Sequence, residues 1–416
     1  MPEGVVVIGA GVIGLCSAYY ARARGMEVTV IDRGPLEPSG CSLGNAGMIV
    51  PSHFVPLAAP GMVSLGLRWM LNPKSPLYIK PRLSWSLLDW GWRFARACTR
   101  RHVASSAPLL AQLGLASRAL YDELSLKLGD FSLTRRGLLM LCKRERTLEA
   151  EGHLVELGRE LGVEARVLDA RQTAELDAGV EMDVAGSVYF PGDCHFTPQA
   201  FMAGLRGELE RAGVRFIWRA PVTGWRRESR RLRAAITGAG EFEAGAFVLA
   251  GGVWSPDALR ELGLRLPMQA GKGYSLTLDR PVQLPRLCSI CTEARVAVTP
   301  MSGTLRFAGT MEIAGVDESI NPRRVQGIVE AVPRYFPRFK GSDFAGVEPW
   351  AGLRPCSPDG LPYLGKPRAT DNLVVAAGHG MMGMSLGPIT GQLVALLLAE
   401  ESPDFDLSLL SPDRHG

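Results

Sequence analysis

Apolar residues near the N-terminus form two short runs separated by a segment with helical character. The first run, Val5–Ile8, has four apolar residues in succession, which is typical of a strand buried on both faces. The glycine-rich sequence GAGVIG follows and opens a helix, and the second run, Val28–Ile31, ends immediately before Asp32. The pattern predicts a strand, a tight turn, a helix and a second strand parallel to the first.

Apolar runs typical of strands and apolar spacing typical of helices follow one another up to about residue 266. Residues at helical spacing over 109–128 predict an amphipathic helix, and Thr197 followed by Pro198 predicts the start of another. Continuous apolar runs predict buried strands at 137–142, 186–190, 247–250 and 373–377. Past Leu266 short alternating runs divided by Gly and Pro predict a mostly antiparallel sheet. The chain is therefore expected to be α/β, with a second domain built on a mixed sheet.

The segment 373–399 contains no Asp, Glu, Lys or Arg and is long enough to span a bilayer. It is interrupted by His379, by a string of glycines and by Pro388, which together favour a turn. We therefore expect a buried strand, a glycine-rich turn and a helix here, rather than a membrane span.

The glycines between the first strand and the first helix have the spacing GxGxxG. Gly9 permits the tight turn, Gly11 permits a pyrophosphate to approach the backbone, and Gly14 permits close packing of helix and strand. Asp32 stands where an acid holds a ribose hydroxyl. The pattern predicts a dinucleotide site, the alternative being a glycine-rich turn in an ordinary α/β sheet. A second strand end, at Gly251 and Gly252, offers another close approach of backbone to cofactor.

Composition indicates an ordinary globular protein of 416 residues, enough for two hydrophobic cores. The net charge is +4 and the basic residues are dispersed, so no nucleic-acid partner is expected, and the short basic run at 226–233 is interpreted as a solvated hairpin. Eight scattered cysteines indicate a reducing compartment. The single CxxC pair, Cys288 and Cys291, has no second pair or His couple beside it, so no metal site is expected. The first strand begins too early for a signal peptide, which favours a cytoplasmic location.

Four of the eight tryptophans lie in the stretch 51–101, interleaved with eight Lys and Arg side chains. Tryptophan together with cations suits a membrane interface, so contact with a membrane surface through 61–101 is one interpretation, with the protein peripheral on the inner face. The more common interpretation is that these tryptophans pack against their own domain.

Six segments, in this order, resemble the FAD-dependent D-amino acid oxidase family, and together they cover nearly the whole chain. They are the glycine motif at 9–14, SLGNAG at 42–47, LAGGVWS at 249–255, GKGYSLTL at 271–278, GLRPCSPDGLPYLG at 352–365 and GHGMMGMSLGPITG at 378–391. Within the family the chain looks most like the bacterial D-amino acid dehydrogenases, including the D-hydroxyproline dehydrogenase branch. The resemblance implies a Rossmann-like FAD-binding domain assembled from 1–47, 140–262 and 347–416. It also implies a substrate-binding domain from 48–139 and 263–346, built on a mixed, mostly antiparallel sheet.

The resemblance also implies which residues hold FAD without a covalent bond. They are Gly9, Gly11, Gly14, Asp32, Arg33, Ser42, Asn45, Ala46, Gly47, Val222, Gly252, Gly383, Met384 and Ser385. Val222 is expected beside the adenine, and Ser42 to Gly47 beside the pyrophosphate and the flavin. Cys356 does not match the cysteine that links flavin in sarcosine oxidases.

Arg354 matches the arginine that receives the substrate carboxylate in the D-amino acid oxidases. A carboxylate entering an apolar pocket must be paired, and the guanidinium fork does so with two parallel hydrogen bonds. Tyr274 is expected to cap the substrate and His379 to stand near the flavin, the alternative for each being a core residue with satisfied hydrogen bonds.

The activity implied is oxidative deamination of a D-amino acid, cyclic ones such as D-proline or D-hydroxyproline included, by hydride transfer from Cα to FAD. The electrons would pass to a quinone or another carrier. A glycine or sarcosine oxidase using oxygen is one alternative, and a non-catalytic dinucleotide-binding module is another. The side chain accepted and the number of subunits stay open.

Overall fold

The computed structural model describes residues 1–36, 40–70, 72 and 74–416. The α-helices are α1 (Val12–Ala23), α2 (Met62–Met70), α3 (Trp85–Ala97), α4 (Arg100–Ser125), α5 (Glu145–Glu160), α6 (Ala170–Leu176), α7 (Pro198–Arg211), α8 (Ser255–Leu259), α9 (Pro322–Tyr335) and α10 (Gly383–Leu398). The strands of the first half are β1 (Val5–Ile8), β2 (Val28–Ile31), β3 (Met48–Ile49), β4 (Leu77–Ile79), β5 (Leu138–Cys142), β6 (Arg166–Asp169), β7 (Gly186–Phe190), β8 (Cys194–His195) and β9 (Arg215–Ile217). Those of the second half are β10 (Val222–Glu228), β11 (Arg231–Thr237), β12 (Gly240–Glu243), β13 (Ala246–Leu249), β14 (Gln269–Leu278), β15 (Cys288–Cys291), β16 (Val296–Met301), β17 (Thr304–Ile313), β18 (Trp350–Cys356), β19 (Tyr363–Gly365) and β20 (Leu373–Ala377).

The predicted N-terminal unit forms the centre of a six-stranded sheet with the order β19-β20-β13-β1-β2-β9. β1 runs parallel to both β2 and β13, and all of its residues are buried. α10 packs against α1 so closely that a Cβ on Gly391 would lie 2.5 Å from the backbone of Cys16. The Rossmann-like interpretation of the N-terminus is thereby confirmed, and the two ends of the chain meet in one domain core.

A nine-stranded mixed sheet forms the second layer of the molecule. Its order is β18-β14-β17-β16-β15-β5-β7-β6, with β4 pairing to β17. Helix α9 covers one face, where buried aliphatic and aromatic side chains form a separate core. The antiparallel pattern predicted beyond residue 266 is found in β14, β16, β17 and β18.

Sheet membership divides the chain differently from the predicted domain boundaries. β5, β6 and β7 lie within 138–190 and β18 lies within 350–356, yet all four pair inside the nine-stranded sheet and not inside the six-stranded sheet. A run such as LLMLC shows that a strand is buried, but not which distant strand it pairs with. The boundaries themselves stay a prediction.

The apolar C-terminal segment is folded into the core as β20, a turn and α10, as the pattern predicted. Among the described residues, no helix has both the length and the apolar character that a bilayer crossing requires. The basic run at 226–233 lies on the β10–β11 hairpin, where exposed arginines pair with neighbouring carboxylates such as Arg226 with Glu241.

Cys288 and Cys291 occupy the two ends of β15. Because residues three apart on a strand point to opposite faces, their thiols lie in two different hydrophobic cores. The pair therefore lacks the geometry of a shared metal site.

Candidate active site

One elongated cavity of about 1250 Å³ lies between the carboxyl edge of the six-stranded sheet and the nine-stranded sheet. Its wall at one end is formed by the residues that follow β1, β2 and β13, among them Gly9, Asp32 and Gly251. At the other end the wall includes Ser275 of β14 and Trp350 of β18. Pockets for small ligands are typically about 300–1,000 Å³, so this cavity has room for an extended cofactor and a small substrate together.

The three glycines of the motif have distinct surroundings. A Cβ on Gly14 would lie 1.7 Å from the carbonyl oxygen of Gly9, and one on Gly9 would lie 2.4 Å from that of Ala250. Gly9 also has φ +109°, in the region that favours glycine. A Cβ on Gly11 would touch only Ser42 Oγ, at 3.6 Å. Packing thus requires Gly9 and Gly14, while Gly11 leaves the backbone open toward the cavity, as a bound pyrophosphate needs.

The carboxylate of Asp32 lies beside the turn and lines the cavity. Its two oxygens accept hydrogen bonds from the backbone N–H groups of Ala10 and Gly34, both at 2.6 Å. Arg33 and Val222 line the same end, and the Arg33 guanidinium stacks over Trp254 at 4.1 Å. The residues predicted for the adenosine half are therefore together at one end of the cavity.

The loop at 42–47 is tied both to α1 and to the nine-stranded sheet. Ser42 Oγ accepts a hydrogen bond from the backbone N–H of Val12 at 3.1 Å, and Ser42 and Asn45 line the cavity. Ala46 instead packs against the core, and a Cβ on Gly47 would lie 2.3 Å from the carbonyl oxygen of Phe196. These last two residues shape the loop from behind, outside the cavity wall.

Arg306 of β17 is a buried cavity residue that the sequence interpretation did not select. Its Nη1 donates to the carbonyl oxygens of Leu43 and Asn45, at 3.1 and 2.8 Å, and its Nε donates to Thr277 Oγ1 at 3.1 Å. Burial lowers its pKa to about 10. The only sequence signal was one arginine inside the otherwise apolar and small pattern TLRFAGT. Arg306 thus connects the nine-stranded sheet to the loop at 42–47, which we call the cofactor loop.

The segment after β20 closes the cavity from the C-terminal side. Gly383 and Met384 of α10 line the cavity, together with Gly252, which follows β13. Ser385 is turned away from the cavity. Its Oγ accepts a hydrogen bond from the backbone N–H of Val50 at 2.8 Å and donates one to the carbonyl oxygen of Met48 at 3.2 Å. Ser385 therefore positions the chain that follows the cofactor loop and does not face the cavity.

His379 lines the cavity and is buried. Its Nε2 is 3.0 Å from Thr390 Oγ1 on α10, and burial lowers its pKa to about 3. The imidazole is therefore neutral at physiological pH and contributes shape and a fixed dipole rather than a charge.

Arg354 is half-buried on β18, and Trp350, Leu353 and Pro355 of this strand line the cavity, whereas Arg354 lies beside the wall and is not itself part of it. A Cβ on Gly273 would lie 2.1 Å from its Nη2, so the guanidinium rests directly on the glycine backbone. Nη1 donates to the carbonyl oxygen of Thr310 at 2.7 Å, where β17 has a register shift and Thr310 has φ +61°. Bulges of this kind re-aim groups next to active sites. Within the described residues no carboxylate pairs with Arg354, so its other N–H groups remain available to a ligand.

Trp350 lies on the same face of β18 and belongs to the cavity wall. Its indole covers Gly352 and Gly44, since a Cβ on either glycine would lie 2.0 Å from the ring. Gly352 pairs with Gly273, so the indole and the Arg354 guanidinium lie side by side on two facing glycines. We call this pair of glycines the glycine platform. It brings two flat side chains next to the cofactor loop.

The glycine platform yields a direct prediction. Gly273→Ala places a methyl group where the guanidinium rests, so Arg354 must move. We expect kcat/KM to fall about ten- to a hundredfold, because misplacing a positioning group by about 1 Å has effects of that size. The content of the FAD that the resemblance implies should not change. The matched control is Gly238→Ala, where a Cβ would meet nothing within 4 Å. Equal kinetics for the two variants would contradict the placement of Arg354.

Tyr274 is not brought together with the other predicted site residues. Successive residues of a strand point to opposite faces, so Ser275 and Thr277 line the cavity while Tyr274 points to the α9 side. Its hydroxyl donates to Glu312 Oε2 at 2.6 Å, and burial together with this carboxylate raises its pKa. This placement matches the alternative interpretation of Tyr274 as a core residue with a satisfied hydrogen bond.

A buried carboxylate is hydrogen-bonded to the segment that follows the cofactor loop. Asp193 accepts hydrogen bonds from the hydroxyl and the backbone N–H of Ser52, at 2.5 and 3.2 Å. Burial raises the pKa of Asp193 to about 7, and the Ser52 hydrogen bonds and the Arg118 charge offset only part of this effect. The hydrogen bonds between Asp193 and Ser52 lie behind the cavity wall, next to the place where β3 pairs with β8.

This raised pKa predicts a pH-dependent stability. Between about pH 4, near the value for an unfolded Asp, and about pH 7, the folded protein binds more protons than the unfolded chain. Asp193 therefore lowers the free energy of unfolding as pH rises through this window. Asp193→Asn should remove this contribution to the pH dependence of the unfolding free energy. The stability of the variant relative to wild type should therefore rise from pH 4 to pH 7 in denaturant titrations. The exposed Asp183→Asn is the control, and parallel curves for Asp193→Asn and wild type would contradict the assignment.

Comparisons with known proteins agree with this geometry. A family model described as "FAD dependent oxidoreductase" (DAO) matches residues 4–397. D-amino acid dehydrogenases from Bradyrhizobium diazoefficiens and Vibrio atlanticus are 31% and 32% identical to the chain, each over 99% of both sequences. Glycine oxidase from Geobacillus kaustophilus has a similar structure, with a TM-score of 0.80 at 25% identity, over 100% of this chain and 99% of that one. L-proline dehydrogenase from P. horikoshii shares the fold, with a TM-score of 0.75 at 17% identity.

The mostly parallel six-stranded sheet, the glycine turn and the cavity between the two large sheets form a site for a dinucleotide cofactor. The chain belongs to the DAO family of FAD-dependent oxidoreductases, and FAD is its cofactor. The thiol of Cys356 packs in an apolar cluster with Trp90, and burial raises its pKa to about 11. Cys356 is therefore not an activated thiol, and the expectation that FAD is held without a covalent bond stays a prediction.

Proposed function

We propose that the protein oxidises a D-amino acid to the corresponding imino acid, as an FAD-dependent D-amino acid dehydrogenase. The observation that carries this proposal is the Arg354 guanidinium, which lies beside the cavity wall with N–H groups not bound to any described carboxylate. Relatives that are 31–33% identical along 99% of the chain are named D-amino acid dehydrogenases.

The chain's own residues bind and orient the substrate. Arg354 pairs with the α-carboxylate, and the carbonyl of Thr310 fixes one of its nitrogens so that the fork has a defined direction. The indole of Trp350 shields this pair from water. When bound, FAD supplies the hydride acceptor: the Cα–H bond breaks, its electron pair leaves with the hydrogen, and the neutral amine becomes an iminium.

No acid or base of the chain is required for this step, provided that the amine is neutral. His379 agrees with that view, since its lowered pKa makes it a poor base near neutral pH. A free imino acid hydrolyses to a 2-oxo acid and ammonia, and a cyclic one remains a pyrroline. Cyclic substrates such as D-proline and D-hydroxyproline are part of the proposal.

For the acceptor we propose a quinone, which takes up two electrons and two protons to become a quinol, or an electron-carrier protein. We place the enzyme on the cytoplasmic side. The eight cysteines are all free thiols, most of them buried, as expected for a reducing compartment. The oxygen-using alternative rests on the similarity to glycine oxidase.

A substrate panel tests the proposal. Purified protein is assayed with D-amino acids, their L-enantiomers, glycine, sarcosine and both hydroxyproline epimers, first with a dye acceptor and then with oxygen alone. We expect D-selective dye reduction that greatly exceeds oxygen consumption. Equal rates with oxygen on glycine or sarcosine would favour an oxidase. Protein that has no visible flavin absorption, and gains none with added FAD, would leave only the non-catalytic alternative.

A further inference from the structure

Helix α3 and the residue pair before it expose four large apolar side chains. The exposed fractions are 105% for Leu83, 88% for Trp85, 59% for Leu88 and 56% for Trp92. Trp85, Leu88 and Trp92 are three and four residues apart and so lie along one side of the helix. We call these four side chains the α3 outer face. Contiguous exposed apolar groups of this size mark an interaction surface.

The fold does not account for the α3 outer face, because α3 is already packed on its other side. Leu87, Trp90 and Phe94 join an apolar cluster with β4 and β17, and Trp90 is only 4% exposed. Of the tryptophans in 61–101, Trp90 therefore follows the packing interpretation, whereas Trp85 and Trp92 do not.

The charge around this face is strongly one-sided. Residues 61–101 contain eight Lys and Arg side chains and one carboxylate, that of Asp89, which pairs with Arg93 at 3.0 Å. The Arg96 guanidinium lies over the Trp92 ring at 4.6 Å. Several of the cations are exposed and have no ion pair within the described residues; they are Arg68, Lys80, Arg96, Arg100 and Arg101. The partner must therefore offer both an apolar layer and negative charge.

An anionic lipid bilayer meets both requirements. Tryptophan rings and leucines enter the headgroup and acyl boundary, and arginines remain with the lipid phosphates. A second copy of this chain meets only one of them, because a two-fold contact through this face would bring the same unpaired cations against each other. We propose that the α3 outer face docks the protein on an anionic membrane surface.

This docking surface is connected to the active site through α3 itself. Trp90 Nε1 donates to the carbonyl oxygen of Cys356 at 2.9 Å, and Cys356 is two residues from Arg354 on β18. The same helix thus presents two tryptophans outward and supports the strand of the carboxylate-binding arginine inward. The proposal is independent of which substrate is oxidised.

The test uses the FAD-loaded full chain and sedimentation with vesicles. Wild type should bind vesicles that contain phosphatidylglycerol, with a blue shift of tryptophan fluorescence, and should bind pure phosphatidylcholine vesicles at least about tenfold more weakly, since each cation near an anionic surface contributes about a factor of five. High salt should release the protein. Trp85→Ser with Trp92→Ser should lower the partition coefficient at least about tenfold. Arg96→Glu with Arg100→Glu should also lower the partition coefficient at least about tenfold.

Matched controls separate docking from folding. Leu126→Ser removes an equally exposed leucine, 87% exposed at the end of α4, and Arg171→Glu reverses an exposed arginine on α6; neither should change vesicle binding. Flavin absorption and the thermal midpoint should be unchanged in every variant, and both are measured without substrate. Failure of wild type to bind anionic vesicles at low salt would overturn the proposal. So would a concentration-dependent dimer that is lost in the tryptophan variant without any vesicle binding.

Discussion

We expect Arg354→Leu to lower kcat/KM by about a thousandfold, mainly through KM, while FAD remains bound. Removing one partner of a desolvated, hydrogen-bonded charge pair has an effect of about 2–5 kcal/mol, and the upper half of that range corresponds to this loss. The variant leaves the substrate carboxylate without a partner in the cavity end next to Trp350. Steady-state kinetics with the best substrate of the panel, together with the flavin absorption spectrum, measure both parts of the expectation.

Two comparisons make this prediction specific to the carboxylate. Arg354→Lys keeps the charge but loses the planar fork, so it should fall between wild type and the leucine variant. Wild type should discriminate strongly between the amino acid and its carboxamide, and Arg354→Leu should discriminate little. The exposed Arg171→Leu serves as the control. Preserved discrimination in Arg354→Leu would remove this residue from the carboxylate site.

Gly14→Ala should yield protein without FAD. Its Cβ would lie 1.7 Å from the carbonyl oxygen of Gly9 and 3.5 Å from Val7 Cγ1, so α1 must move away from β1. That movement opens the turn that holds the pyrophosphate. We expect loss of visible flavin absorption from the purified protein and a lowered thermal midpoint.

Gly207→Ala on α7 is the matched control for this second prediction. A Cβ there meets nothing within 4 Å, and alanine is a better helix former than glycine by about 0.5–1 kcal/mol. This variant should keep FAD and unfold at an equal or higher temperature. Normal flavin content in Gly14→Ala would show that the turn tolerates a side chain and would contradict the close packing of α1.

Local sequence patterns predicted several elements correctly. Four successive apolar residues, a glycine turn and a second apolar run were sufficient for β1, α1 and β2. Thr197–Pro198 predicted the beginning of α7, which starts at Pro198. Each of these signals is carried by neighbouring residues, so no knowledge of distant contacts was needed.

The orientation of Tyr274 was carried by the local pattern, but the resemblance suggested a different role. In YSLTL the larger residues Tyr274, Leu276 and Leu278 face the core, and the small polar Ser275 and Thr277 face the cavity. Arg306 could not be found from local pattern, because its partners Leu43 and Asn45 are more than 250 residues away. Membership of β5, β6, β7 and β18 in one sheet likewise depends on long-range pairing.

By itself the sequence determined that a dinucleotide turn lies at Gly9 to Gly14, that an acid follows β2, and that an arginine stands in the segment GLRP. Turn chemistry and apolar periodicity are local properties, so the chain carries them wherever it folds. Only the tertiary structure decided that Arg354 rests on Gly273, that Trp350 lies beside it, and that Trp90 is buried while Trp85 is exposed. The first two outcomes follow from strand register, because a shift of one residue moves a strand side chain to the opposite face. The third follows from how α3 is oriented on the sheet, which decides which of its sides is buried.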